Sequence, residues 1–151
     1  MQEHDDSPDA TLREILAGSR RIAVLGASAR RDRPSYEVPA YLARHGYEIV
    51  PVNPRHAGEE LHGRTVLASL SEISEKVDIV DVFRRSEAID GHVEEILAMR
   101  PLPGAVWLQL GIRNDDAARA LRAHGIAVVQ DRCTKIEHRR LLARTTGAAH
   151  R

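Results

Sequence analysis

The sequence is short of several things, and each shortage narrows what it can be. Cysteine occurs once, at Cys133, so no disulfide can form within the chain and a reducing compartment is expected. Aromatic residues are 3% of the 151 positions, too few for the stacking platforms that bind single-stranded nucleic acid. An excess of one charge is missing as well. The 22 basic residues balance the 22 acidic ones, so there is no overall field for a polyanion. No apolar run approaches membrane-spanning length, and the polar stretch Met1 to Ala10 lacks the basic and apolar regions of a secretory leader. The eight histidines stand apart from cysteine or carboxylate partners at metal-ligand spacing. Together these shortages describe a cytoplasmic protein with no metal, no membrane contact and no nucleic-acid partner.

What the chain does have is a regular alternation of apolar runs and amphipathic segments. Ile22–Leu25, Tyr47–Val52, Val77–Phe83, Ala105–Leu110 and Ile126–Val129 read as buried strands. Between and around them lie helical patterns: one opened by capping-box spacing at Thr11–Glu14, and one beginning near Ser35 with Pro39 in its first turn. Others are capped by Ser86 and by Asn114, and a last short helix covers Ile136–Leu142. Val66-Leu67 reads only as a short extended piece. Residues 1–10 and 143–151 look like loose tails around one domain, 11–142. Such alternation implies a three-layer, doubly wound α/β fold of Rossmann-like type, with about five parallel strands in the order 3-2-1-4-5.

In that fold, ligands bind outside the carboxyl ends of the strands, where this chain places Gly26-Ala27-Ser28, Val52-Asn53-Pro54, Phe83-Arg84-Arg85, Leu110-Gly111-Ile112 and Gln130-Asp131-Arg132. The first of these leads through the basic loop Ala29–Arg33 to a helix start, an arrangement that presents backbone N–H groups to a phosphate. An NAD fingerprint would need glycine where Ser28 and Arg31 stand, and an acid where the second strand ends in Val52-Asn53-Pro54. A ligand with a phosphorylated ribose suits these residues better. Coenzyme A fits, and so would NADP or another phosphorylated ligand.

Four blocks, GASARRDRPSYEVPAYLARHGYEIVPVNP, VDIVDVFRR, AVWLQLGI and DRCTKIEH, resemble the small bacterial CoA-binding proteins. That stand-alone Rossmann-like family is similar to the CoA-binding domain of succinyl-CoA synthetase. The resemblance runs from about Arg21 to Leu142 and implies a site for coenzyme A or an acyl-CoA, held without catalysis by a sensor, carrier or regulatory module. It implies that Gly26, Ala27 and Ser28 lie against the pyrophosphate, and that Arg33, Pro34, Ser35 and Tyr36 close the loop. Val52, Asn53 and Pro54 would flank the adenine and ribose, Phe83 and Arg84 the middle of the groove, and Gln109, Gly111 and Ile112 the pantetheine arm. The loop Ala29–Asp32 departs from the glycine- and proline-containing form usual in the family. The histidine that succinyl-CoA synthetase phosphorylates belongs to a later domain, so ligase activity is not implied.

Several residues carry two readings. Arg84 and Arg85 are phosphate ligands or solvated cations, and Asn53 is a ribose contact or the cap of the turn at Pro54. Trp107 reads as core. Cys133, beside Arg132 and Lys135, is either a thiol of lowered pKa or a small buried residue at a strand end. The alternative to a binding module is an enzyme, an NAD(P)-dependent oxidoreductase or an acyl-CoA-handling catalyst using Cys133 or His138. Lys135, Glu137 and His138 read either as its catalytic group or as a salt-bridged last helix. The partner is a small nucleotide ligand; a homodimer through a sheet edge and an unidentified protein partner stay open.

Overall fold

A computed structural model describes residues 7–143. Of the tails expected at 1–10 and 143–151, residues 1–6 and 144–151 lie outside the described residues, while Asp9 and Ala10 belong to the first helix and Ala143 to the last helical turn. Five parallel strands form the sheet: β1 (Arg21–Leu25), β2 (Glu48–Val52), β5 (Ile79–Val82), β6 (Ala105–Leu108) and β7 (Ala127–Val129). A two-stranded antiparallel hairpin, β3 (Glu60–Leu61) and β4 (Arg64–Thr65), lies between β2 and β5 in sequence.

Side chains alternate across each strand, and the alternation builds two cores. Ile22 and Val24 face one side with Ile49, Ile79 and Trp107, and α1 (Asp9–Ala17), α2 (Pro34–Arg44) and the C-terminal helical segment cover them through Leu12, Leu16, Val38, Leu42 and Leu141. Ala23 and Leu25 face the other side with Val50, Val80 and Val106, beneath α3 (Val93–Leu97) and α4 (Asp115–Arg122). The result is the three-layer, doubly wound fold. The two aspartates of the VDIVDVF run are accommodated differently. Asp78 Oδ2 accepts the backbone N–H groups of Arg20 and Arg21, at 2.8 and 3.0 Å, and Asp81 is fully buried.

The sheet order corrects the expected 3-2-1-4-5. It is β2-β1-β5-β6-β7, which in the numbering of the five long strands is 2-1-3-4-5. The outer place beside β2 belongs to the Val66-Leu67 piece, which makes one parallel bridge, Leu67 to Val52, before the chain turns away at the 3-10 turn Leu70–Glu72. Val77–Phe83 therefore crosses over to the free side of β1. Two residues of extended chain are too few to count as a strand, and that misplaced the third.

Helix starts also differ. Helix α1 begins at Asp9, after Pro8, so Thr11 lies inside it and the capping box is not used. Ser86 opens a 3-10 segment, Ser86–His92, that runs into α3, and its Oγ accepts from Arg113 N at 3.0 Å rather than capping. Asn114 does cap α4, accepting from Ala117 N at 3.0 Å. The last helix, α5, starts early, at Thr134, and runs to His138, continuing as a wider turn through Ala143. Trp107 is buried, its Nε1 donating to the Arg132 carbonyl at 2.8 Å.

Candidate functional site

Neighbouring strands leave the sheet in opposite directions at β1 and β5, and a groove opens at their carboxyl ends. Gly26 sits at the head of that groove. Its φ is +93°, and a Cβ there would lie 2.9 Å from the Phe83 carbonyl oxygen, so glycine lets the ends of β1 and β5 close on each other. The turn behind it is tied down by backbone. Gly26 N and Ala27 N both donate to the Val52 carbonyl, at 2.8 and 3.3 Å, and Ser28 N donates to the Ser35 carbonyl at 3.2 Å. The three N–H groups expected to face a phosphate are thus engaged within the protein. What this turn presents to the groove is side chains instead.

Those side chains ring a polar cavity of about 410 Å³. Ser28 and Ser35 supply hydroxyls, and Arg30, Arg33, Arg55, His56 and Arg84 supply cationic or protonatable groups. No carboxylate lies on its wall. Ser28 Oγ accepts from Arg30 N at 3.0 Å, which leaves its own proton to donate. Asn53 holds the far side. Its Oδ1 accepts from Arg55 N at 2.9 Å, capping the turn Pro54–His56, while its Nδ2 donates to the Ala27 carbonyl at 2.8 Å. Asn53 thereby fixes β2 to the turn after β1 and positions Arg55. Arg84 lines this cavity, whereas the Arg85 side chain is 84% exposed and faces Glu87 at 3.9 Å.

A second cavity of about 550 Å³ adjoins the first through Arg33, Ser35 and Phe83, which line both. Its walls are largely hydrocarbon: Pro34 and Val38 of α2, Leu110 and Ile112 after β6, and Ile136 of α5. Gln109 is at its base, but the amide is committed. Nε2 donates to Asp81 Oδ1 at 2.5 Å and to Thr134 Oγ1 at 2.9 Å, and Thr134 Oγ1 donates to Asp81 Oδ2 at 3.0 Å. Burial pushes the Asp81 carboxyl up to about 7 against the pull of these two donors. The network pins the start of α5 to the middle of the sheet.

Cys133 precedes α5 and lines the second cavity. The expected lowering of its pKa is not found. Burial raises it and outweighs the backbone N–H groups of Ile136 and Lys135. The flanking cations are paired, Lys135 with Glu37 at 3.6 Å and Arg132 with Glu137 at 3.8 Å. Glu137 also accepts from Arg140, which holds Asp9 through two contacts of 2.8 and 2.9 Å, so the last helix is salt-bridged. His138 lies on neither cavity wall. It is buried against Tyr41, whose hydroxyl is 2.9 Å from its Nδ1, and burial lowers its pKa.

Of the residues singled out in the sequence, Gly26, Ser28, Arg33, Ser35, Asn53, Phe83 and Arg84 line the polar cavity. Pro34, Gln109 and Ile112 line the apolar one. Ala27, Val52 and Pro54 shape the groove from behind. Tyr36 faces away, against the His62 ring with centroids 4.9 Å apart, and Gly111 forms the turn after β6, donating to Asp131 Oδ1 at 2.6 Å. Arg55, His56, Ile136 and Arg139 were not anticipated. Signals for them existed: Arg55-His56 directly follow the strand end where an acid was sought, and Cys133, Ile136 and Arg139 repeat every third residue along one helical face.

Residues 20–139 match the family model described as a CoA binding domain. The chain belongs to that family. It is 43% identical over 129 residues to the uncharacterized protein YneT of Bacillus subtilis, spanning 85% of this chain and 93% of YneT. It is 33% identical over 86 residues to the alpha subunit of an ADP-forming acetate–CoA ligase of Pyrococcus furiosus, spanning 54% of this chain and 19% of that subunit. The fold is similar to a Thermus thermophilus structure, cell-free ID.343, with TM-score 0.86 and 49% identity over 90% of this chain and 100% of that one. A hypothetical protein from Pyrococcus horikoshii gives TM-score 0.84 and 34% identity over 94% of this chain and 99% of its own. No helix among the described residues is long and apolar enough to cross a membrane, and none of their His, Cys, Asp and Glu side chains form a group of three suited to a metal ion.

Proposed function

We propose that the chain binds coenzyme A, free or as a thioester, without transforming it, as a cytoplasmic sensor, carrier or regulatory module. The phosphates occupy the polar cavity and the pantetheine arm passes Ser35 and Phe83 into the apolar one. The shared wall of the two cavities is the observation that supports this reading most. A cationic cavity free of carboxylates, opening directly into a largely hydrocarbon-walled one, matches a ligand with its phosphates at one end and a long uncharged arm at the other. Ser28, Arg30, Arg33 and Arg84 face the diphosphate. Arg55 and His56, next to the end of β2, face the ribose 3′-phosphate where an NAD site would hold an acid. Support for a non-catalytic role comes from Cys133, kept as a thiol by burial, and from the Gln109 amide, tied to Asp81 and Thr134.

The test is a thermal-shift series with CoA, dephospho-CoA, NAD and NADP on protein freed of any carried-over ligand. A ligand at a hundred times its dissociation constant stabilises by about 2.7 kcal/mol, and each kcal/mol moves the midpoint of a domain this size by roughly 2–4 °C. A shift of several degrees with CoA and none with NAD is the expected result. A shift with NADP alone would overturn the assignment, and turnover of a thioester would overturn the non-catalytic role.

A further inference from the structure

Among the described residues two large hydrophobic side chains are exposed, Leu110 at 64% and Ile136 at 48%. A single exposed leucine or isoleucine needs no explanation. These two come from different elements, the turn after β6 and helix α5, yet both form walls of the same cavity, together with Val38, Ile112 and Phe83. The pantetheine arm does not account for them. It carries two amides that need hydrogen-bond partners, and the Leu110–Ile136 walls offer carbon. Both protons of the nearby Gln109 Nε2 are already spent on Asp81 and Thr134.

We propose that this end of the groove takes the apolar acyl group of an acyl-CoA, so that the protein binds a thioester in preference to free CoA. The inference rests on the reading of the groove as a coenzyme A site and names which form of the ligand it selects. The cations lining this end are engaged within the protein and the Glu37 carboxylate stands among them, which favours an uncharged acyl group over one ending in a carboxylate. Lys135 is paired with Glu37 at 3.6 Å, Arg139 lies over the Tyr41 ring at 5.7 Å, and Arg33 is shared with the phosphate cavity. The thioester meets no activated nucleophile there, because the Cys133 thiol is half-buried and its flanking cations are paired elsewhere. Such a chamber shelters the acyl chain from water and leaves the thioester intact.

Isothermal titration of the full chain with CoA and with acetyl-, butyryl-, hexanoyl- and succinyl-CoA tests this. Full burial of each methylene is expected to tighten binding about fourfold. Hexanoyl-CoA should therefore bind at least about tenfold more tightly than CoA, with succinyl-CoA no better than CoA. In Ile136→Asp, and separately in Leu110→Asp, the ratio of hexanoyl-CoA to CoA affinity should fall towards one. Both residues are exposed, so the folded variants can be verified by circular dichroism. Equal affinities for CoA and every thioester would overturn the acyl proposal and leave the coenzyme A site standing. Tightest binding of succinyl-CoA would overturn it in favour of a carboxylate-bearing acyl group. Binding of none of these compounds would overturn both readings at once.

Discussion

The two halves of the groove are built by opposite means. The polar half is a backbone construction: carbonyls of Val52, Ser35 and Ala27 accept the N–H groups that fix the turn, and Asn53 staples it. No titratable side chain belongs to that frame. The apolar half hangs on one buried carboxyl, Asp81, which reaches α5 through Thr134 and the cavity base through Gln109. Rigid backbone thus presents the charges, and a protonatable side-chain network presents the hydrocarbon. Placement of an anion needs fixed geometry. A wall of carbon tolerates adjustment, because apolar contact has no direction.

Five variants can break or sharpen this contrast. The largest effect is expected from Ser28→Asp, which sets a carboxylate among the arginines of the polar cavity. CoA affinity should fall by more than about a hundredfold with the fold intact, since like-charge juxtaposition costs several kcal/mol. Unchanged affinity in the folded variant would place the ligand elsewhere.

Next in size is the pH dependence of stability. The Asp81 carboxyl titrates near 7 in the folded protein and near the ordinary aspartate value, 3.8, when unfolded. Between these values the native state holds a proton that the unfolded chain has lost. The contribution of Asp81 to stability is therefore full below about pH 4, is lost as pH rises to about 7 by on the order of a few kcal/mol, and is level above. Urea melts of Asp81→Asn should lose that slope. A slope that survives would mean that Asp81 is not its source.

Smaller is Arg55→Glu, expected to weaken CoA about tenfold, as for loss of a charge-assisted hydrogen bond, and to leave dephospho-CoA less affected. Equal loss for both ligands would argue against a 3′-phosphate contact. Smallest are Arg85→Ala and Cys133→Ser. Arg85 points to solvent and the Cys133 thiol is uncharged, so CoA affinity should stay within about twofold for each. A large loss with either would shift the groove's chemistry towards that side chain.

Much of this was legible in the chain. Runs of Ile, Val and Leu located every long strand, because a strand covered on both faces has to be apolar throughout. The βα turn and the arginine-rich strand ends likewise pointed to the cavity that Arg30, Arg33, Arg55 and Arg84 line. Other features depend on partners far away in sequence. Asp81 reads as one more acid in a strand until Gln109, 28 residues on, and Thr134, 53 residues on, are brought to it. The use of Gly26, Ala27 and Ser28 N–H groups depends on where the Val52 and Ser35 carbonyls lie. The apolar chamber was hidden for a similar reason: Leu110, Ile112 and Ile136 become one wall only after α5 is docked.

The outer edge of β2 has a consequence for solubility. An open strand edge is a template on which a foreign strand can pair and aggregation can start. Here Leu67 bonds to the Pro51 carbonyl and to Asn53 N at the far end of that edge, and Pro51 has no N–H to give. At the near end, Arg64 of the small hairpin reaches across to Glu48. The opposite edge strand, β7, is three residues long. Both margins are blunted, so lengthening the sheet with a second molecule is disfavoured, and any copy that joins this one has to be gripped by side chains instead.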